Sequence, residues 1–156
     1  MTMRIGFGTD LHRLVPGDGL WIGGIRIPCG FSADAVSDGD ALLHALADAL
    51  LGAAGLGDIG ERYPESRVTP GEASSRYVRE IMGDLGTKEM RVVNADLIVD
   101  LENPKLGEWK ASIRESVAGL LGIDSNRVNI KAKSGEGLGL VGRGEAMGAQ
   151  AAVLVE

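Results

Sequence analysis

Cysteine, histidine and aromatic residues are all scarce in this 156-residue chain. A single cysteine, Cys29, excludes an internal disulfide, and a reducing cytoplasm is the expected home. Two each of Phe, Trp and Tyr leave no row of stacking platforms for single-stranded nucleic acid. Positive charge is short as well. The net charge is −6 and the pI near 5.0, which argues against non-specific binding to a polyanion. No apolar run reaches the roughly eighteen residues of a membrane span, and the opening MTMRIGFG lacks the long apolar core of a signal peptide. Neither nucleic acid nor membrane is an expected partner. With no linker and no internal repeat, residues 1–156 read as one domain.

Glycine is abundant instead, at 24 residues, roughly twice average usage. The glycines sit inside mixed motifs rather than a periodic tract, so they point to turns and close backbone approaches. Residues 3–12 alternate: Ile5, Phe7, Thr9 and Leu11 on one face of a strand, Gly6, Gly8, Asp10 and His12 on the other. LWIGGIRI at 20–27 reads as a hairpin turning at Gly23–Gly24. Ser37-Asp38-Gly39-Asp40 supplies caps for the helix ALLHALADALLGAAGLG, apolar on most sides and therefore buried. GDIGERYP at 57–64 reads as a structured loop and VTPGEA at 68–73 as a mobile one.

A helix over 74–85 carries Tyr77, Ile81 and Leu85. A strand over 91–101 puts Val93, Ala95, Leu97, Val99 and Leu101 on one side, and a helix over 107–121 follows the stop Asn103-Pro104. Strands at 127–133 and 146–155 flank a glycine-rich loop at 135–144. This order predicts an α+β fold: a mixed four-stranded sheet with helices on one face, plus a small hairpin.

Asp10 and His12, at i and i+2 on a strand, point the same way and can share one ion. His44 lies mid-helix between Asp40 and Asp48, one turn to either side. Two histidines and a carboxylate with an open fourth position match the donor set of catalytic zinc, although Mn²⁺, Co²⁺ and Fe²⁺ accept the same donors. Asp48 is the natural candidate to hold the other ring nitrogen of His44. Spacing alone leaves open that each histidine is an ordinary hydrogen-bonded residue.

The glycine motifs are less specific. Gly137-Leu-Gly139-Leu-Val-Gly142 matches the dinucleotide fingerprint in letters, but only fourteen residues follow it, too few for the helix, strand and acidic ligand of a βαβ unit. Asp58-Ile59-Gly60 reads either as a simple turn after a helix or as a ligand loop.

GFGTDLHR at 6–13, IGGIRIP at 22–28, SDGDALLHALADALLGAAGLGDIG at 37–60, NPKL at 103–106 and GRGE at 142–145 occur in one order. Together they resemble the 2-C-methyl-D-erythritol 2,4-cyclodiphosphate synthases, over Arg4 to Val155. The long block carries most of the specificity. No cytidylyltransferase segment lies within these residues, so the resemblance is to the single-activity form. It implies a homotrimer with active sites between subunits. The reaction it implies is cyclisation of 4-diphosphocytidyl-2-C-methyl-D-erythritol 2-phosphate with release of CMP, in non-mevalonate isoprenoid biosynthesis.

Residue by residue, the resemblance implies that Asp10, His12 and His44 hold zinc or a similar ion. Glu136 holds a second divalent ion, Mg or Mn, that arrives with the diphosphate. Asp58 and Gly60 fall at the methylerythritol, Ile59 and Tyr63 among the other substrate contacts, and Ser37 at the phosphates. Leu101, Pro104, Lys105, Leu106 and Ala132 fall at the cytidine on the neighbouring subunit. Ser134 orients the diphosphate, Leu140 and Arg143 fall among the substrate contacts, and Arg143 and Glu145 match the motif near the trimer axis. The substrate's own phosphate is the nucleophile, so the chemistry needs alignment and charge neutralisation rather than a general base. A zinc hydrolase with Asp58 as base is a weaker reading, because water would compete with that internal phosphate.

Two departures stand out. Val36 replaces the family's phosphate-site histidine, and Lys133-Ser134-Gly135 replaces three threonines. Lys133 either supplies the lost positive charge or alternates outward to solvent. Val36 also raises an alternative: a weak or silent trimer that binds CDP or isoprenoid diphosphates.

Overall fold

Alternation in the first strand decides the architecture, in an unusual sense: its glycines are covered and its large apolar side chains are not. The computed structural model describes residues 2–156. In chain order the elements are β1 (Arg4–Pro16), β2 (Leu20–Ile22), β3 (Ile25–Ile27), β4 (Phe31–Ala33), α1 (Ala41–Ala54), α2 (Ile59–Arg62) and α3 (Ser75–Thr87). Then come β5 (Val92–Asp100), α4 (Lys110–Leu121), β6 (Val128–Lys133), α5 (Gly139–Gly142) and β7 (Ala146–Val155).

The main sheet has five strands, not four, in the order β4-β1-β7-β5-β6. The extra strand is β4, which pairs with the far end of β1 through Leu14↔Ala33 to Pro16↔Phe31. Three residues are too few to show an alternation, so the sequence conceals it. Only β5 and β6 run parallel, joined through α4; the other pairings are antiparallel. β2 and β3 form the separate hairpin, with Gly23 and Gly24 both at positive φ in its turn.

Gly6 and Gly8 lie directly under α1. A Cβ at Gly8 would overlap the Ala45 carbonyl oxygen and come within 2.8 Å of the Ala49 nitrogen. Bare backbone on the strand and alanines on the helix let the two approach closely, and α1 is buried along almost its whole length. Asp40 caps α1 by accepting the Leu43 amide at 3.0 Å, and its two carboxylate oxygens also accept the amides of Gly23 (2.9 Å) and Gly24 (2.7 Å). One buried carboxylate thus starts the helix and anchors the hairpin. Gly55, left-handed at φ 68°, ends it.

Ala149, Ala151, Val153 and Val155 of β7 are buried toward the helices. Small residues on a last strand suggest close sheet packing around a subunit axis; here they face the helices instead. The uncovered face is the other one, where Ile5, Phe7 and Leu11 are 75%, 63% and 58% exposed. No single helix is long and apolar enough to cross a membrane.

Candidate metal centre and active-site cleft

The close approach of α1 to β1 brings His44 over Asp10 and His12. Asp10 Oδ2 lies 3.2 Å from His44 Nδ1 and 2.8 Å from His12 Nδ1. His12 Nδ1 is the one buried side-chain nitrogen or oxygen without a hydrogen bond among the described residues. One donor atom from each of the three residues falls within 4.8 Å of the others. Donors around a tetrahedral zinc, at bonds of about 2.0–2.1 Å, sit roughly 3.3 Å apart, so the set fits a small divalent cation.

The electrostatics agree. Burial pushes the Asp10 carboxyl up, but the imidazoles of His12 and His44, in their protonated form, outweigh it and hold the group well below the ordinary carboxylate range. Burial also opposes charge on His12, yet Asp10, with Asp40 and Asp38 beyond it, raises its pKa above 6.5. Burial raises the Asp40 carboxyl too, against the pull of the Gly24, Leu43 and Gly23 amides.

Asp48 is not the partner of His44 that helical spacing suggests. Its Oδ1 accepts the Ile59 amide at 2.7 Å and ties α1 to the start of α2. His44 Nε2 instead meets Ser74 Oγ at 2.8 Å, with Ser37 Oγ farther off at 3.4 Å. Ser74 is fully buried at the start of α3 and also contacts Asp38. Neither residue shows in the sequence as part of this centre, because a contact across about 30 residues of irregular chain leaves no period to read.

A cleft of about 360 Å³ opens from the metal centre. Of the expected residues it is lined by Asp10, His12, Ser37, His44, Ile59, Gly60 and Tyr63, and Val36 faces it as well. Asp58 stands just behind, capping α2 through the Glu61 amide at 2.8 Å. Tyr63 stacks on Tyr77 with ring centroids 4.3 Å apart. The segment read as mobile is pinned: Gly71 N–H donates to the Val36 carbonyl at 2.7 Å, and Asp38 N–H donates to that of Glu72 at 2.9 Å.

The other expected residues lie elsewhere. Leu101 and Leu106 are buried in the core, so their side chains are not open to a ligand. Pro104, Lys105, Ala132 and Lys133 gather around the ends of β5 and β6, two and three strand spacings (about 10 and 14 Å) from β1. Ser134 and Glu136 follow β6. Glu136 is exposed, at φ 52°, and its amide donates to Ser134 Oγ at 3.3 Å. Glu102, unremarked in the sequence, accepts the Gly135 amide at 2.8 Å and so joins the two loops. Arg143 Nε donates to Glu145 at 2.6 Å, and Leu140 is exposed on α5. A second cleft of about 500 Å³, shared by Asp10, Thr9, Asp100, Ser134 and Gln150, opens on the uncovered sheet face.

Two histidines and a carboxylate that could hold a metal ion, set between the first strand and the first long helix of a five-stranded mixed sheet, define the class: an α+β protein with a candidate metal centre. The chain belongs to the YgbB family, whose model matches residues 3–156, the family of 2-C-methyl-D-erythritol 2,4-cyclodiphosphate synthases that its motifs resemble. The 2-C-methyl-D-erythritol 2,4-cyclodiphosphate synthase of Treponema denticola is 45% identical over 154 residues, covering 98% of this chain and 96% of that protein. A solved structure of such a synthase superposes with a TM-score of 0.90 at 39% identity, covering 98% of this chain and all of the other. Another, solved in its CDP-bound form, gives 0.89 at 38%.

Proposed function

We propose that this protein is an enzyme converting 4-diphosphocytidyl-2-C-methyl-D-erythritol 2-phosphate to 2-C-methyl-D-erythritol 2,4-cyclodiphosphate and CMP. The observation that carries this reading is the convergence of Asp10, His12 and His44 at the mouth of a cleft, in a chain related over its full length to synthases of that name. The silent-trimer alternative is not favoured, because the donor set is intact.

Asp10, His12 and His44 would hold one divalent ion, zinc by donor type, and Glu136 a second; bound there, such ions neutralise phosphate charge and polarise the P–O bonds. The chain's own residues do the rest. Ser37 presents a hydroxyl to the phosphates, while Ile59, Gly60 and Tyr63 wall the cleft where the methylerythritol lies. Alignment of the attacking phosphate with its target is the main contribution, since the nucleophile is already anionic and needs no base. Ser134, Lys133, Pro104, Lys105, Ala132 and the backbone at Leu101 and Leu106 do not line the metal-centre cleft of their own subunit. They serve that of a neighbour in a homotrimer, and the uncovered apolar sheet face supports such an assembly.

The test is CMP release from the authentic substrate by metal-replete protein, with a chelated sample alongside. Turnover that chelation abolishes and added zinc with magnesium restores is expected. No CMP from metal-replete trimer sinks the assignment.

A further inference from the structure

Both ring nitrogens of His44 are engaged, and only one engagement belongs to the metal centre. Nδ1 faces Asp10 Oδ2; Nε2 lies 2.8 Å from the hydroxyl of Ser74. Asp38 fixes what that hydroxyl can do. Its Oδ2 accepts the Ser74 amide at 2.9 Å, and its Oδ1 accepts both the Asp40 amide at 3.1 Å and the Ser74 hydroxyl in a short hydrogen bond.

A serine hydroxyl has one proton, and an ionised carboxylate can only accept. The Ser74 proton is therefore committed to Asp38, and Ser74 Oγ is left to accept from His44. That requires the proton of neutral His44 to sit on Nε2, which leaves the Nδ1 lone pair free beside Asp10 Oδ2. Ser74 has no other task at this place: it is fully buried, and its side chain makes no capping hydrogen bond to α3.

We infer that Ser74, held by Asp38, is a positioning residue that fixes the tautomer and ring orientation of His44 so that Nδ1 is presented to the cation. The relay also ties metal affinity to the 69–74 segment, which is hydrogen-bonded to Val36 and Asp38 at the cleft edge. The inference rests on the metal reading above, but its first test does not.

Histidine ¹⁵N NMR of the metal-free wild-type chain at alkaline pH should show His44 as the Nε2–H tautomer. Observation of the Nδ1–H tautomer overturns the relay without any variant. Ser74→Ala should then give a mixed tautomer population and weaken zinc binding, measured by chelator competition, by about 10- to 100-fold. An unchanged tautomer and zinc affinity in Ser74→Ala also overturns it. A wild-type chain that fails to retain zinc would defeat the metal reading, while the metal-free spectrum still decides the relay.

Discussion

Val36 puts an isopropyl group, 39% exposed, at the edge of the cleft proposed to take the phosphates. It can neither donate a hydrogen bond nor carry charge. A single preorganised donor to developing phosphate charge is worth about 10²-fold or more in rate, so Val36→His should raise kcat/KM by at least about tenfold. Lys133→Ala should lower it if that ammonium compensates, and an unchanged kcat/KM removes Lys133 from the mechanism. The same scale governs pH. His12 has a pKa raised above 6.5 in the folded chain, so the stability it contributes is complete below 6.5 and is lost as pH rises through the raised value. The metal-free protein should accordingly show a falling Tm over that interval, and zinc affinity should rise over it as the ion displaces the proton. A metal-free Tm that rises there contradicts the placement of His12 against Asp10. At this scale the ligands themselves were legible, because i, i+2 on a strand and a histidine on an apolar helix are periodic signals. Ser74 and Asp38 were not, since irregular segments meet without a pattern.

Helix α1 was the most legible element: capping residues before it and a left-handed glycine after it bound its apolar run at both ends. Less visible was the reason it lies where it does. The glycine face of β1 reads as polar or neutral in any hydropathy pattern, yet it is the contact surface. Gly8→Ala should therefore act twice. Overpacking against the Ala45 carbonyl should cost about 3 kcal/mol in denaturant unfolding, at the upper end for inserted methyl groups. It should also lift His44 off β1 and weaken zinc binding in the fraction that still folds. A variant with wild-type Cm and wild-type zinc affinity would show that the helix has room the structure denies it. The lower boundary of legibility was β4, whose three residues are ordered by the sheet they join rather than by their own sequence.

The whole subunit leaves one sheet face without helices. Along it the register sets Phe7 beside Ala152, Thr9 beside Gln150, and Ile98 on the far side of Gln150, an apolar surface with a polar stripe. Alternation identified this face as apolar, but sequence could not say which face the helices would take, and tight glycine–helix contact reversed the usual outcome. On the proposed trimer, whose sites would each draw on two subunits, Phe7→Glu should shift the species seen by sedimentation from trimer to monomer and reduce CMP release to background. A fully active monomer would contradict the shared-site reading.

The donor set also has a topological consequence. Its members come from residues 10, 12 and 44, so an ion seated among them clasps shut the excursion formed by residues 13–43, which includes the whole hairpin. Zinc should thus slow amide hydrogen exchange across that excursion far more than in α4, and uniform slowing throughout the chain would show that no such clasp exists.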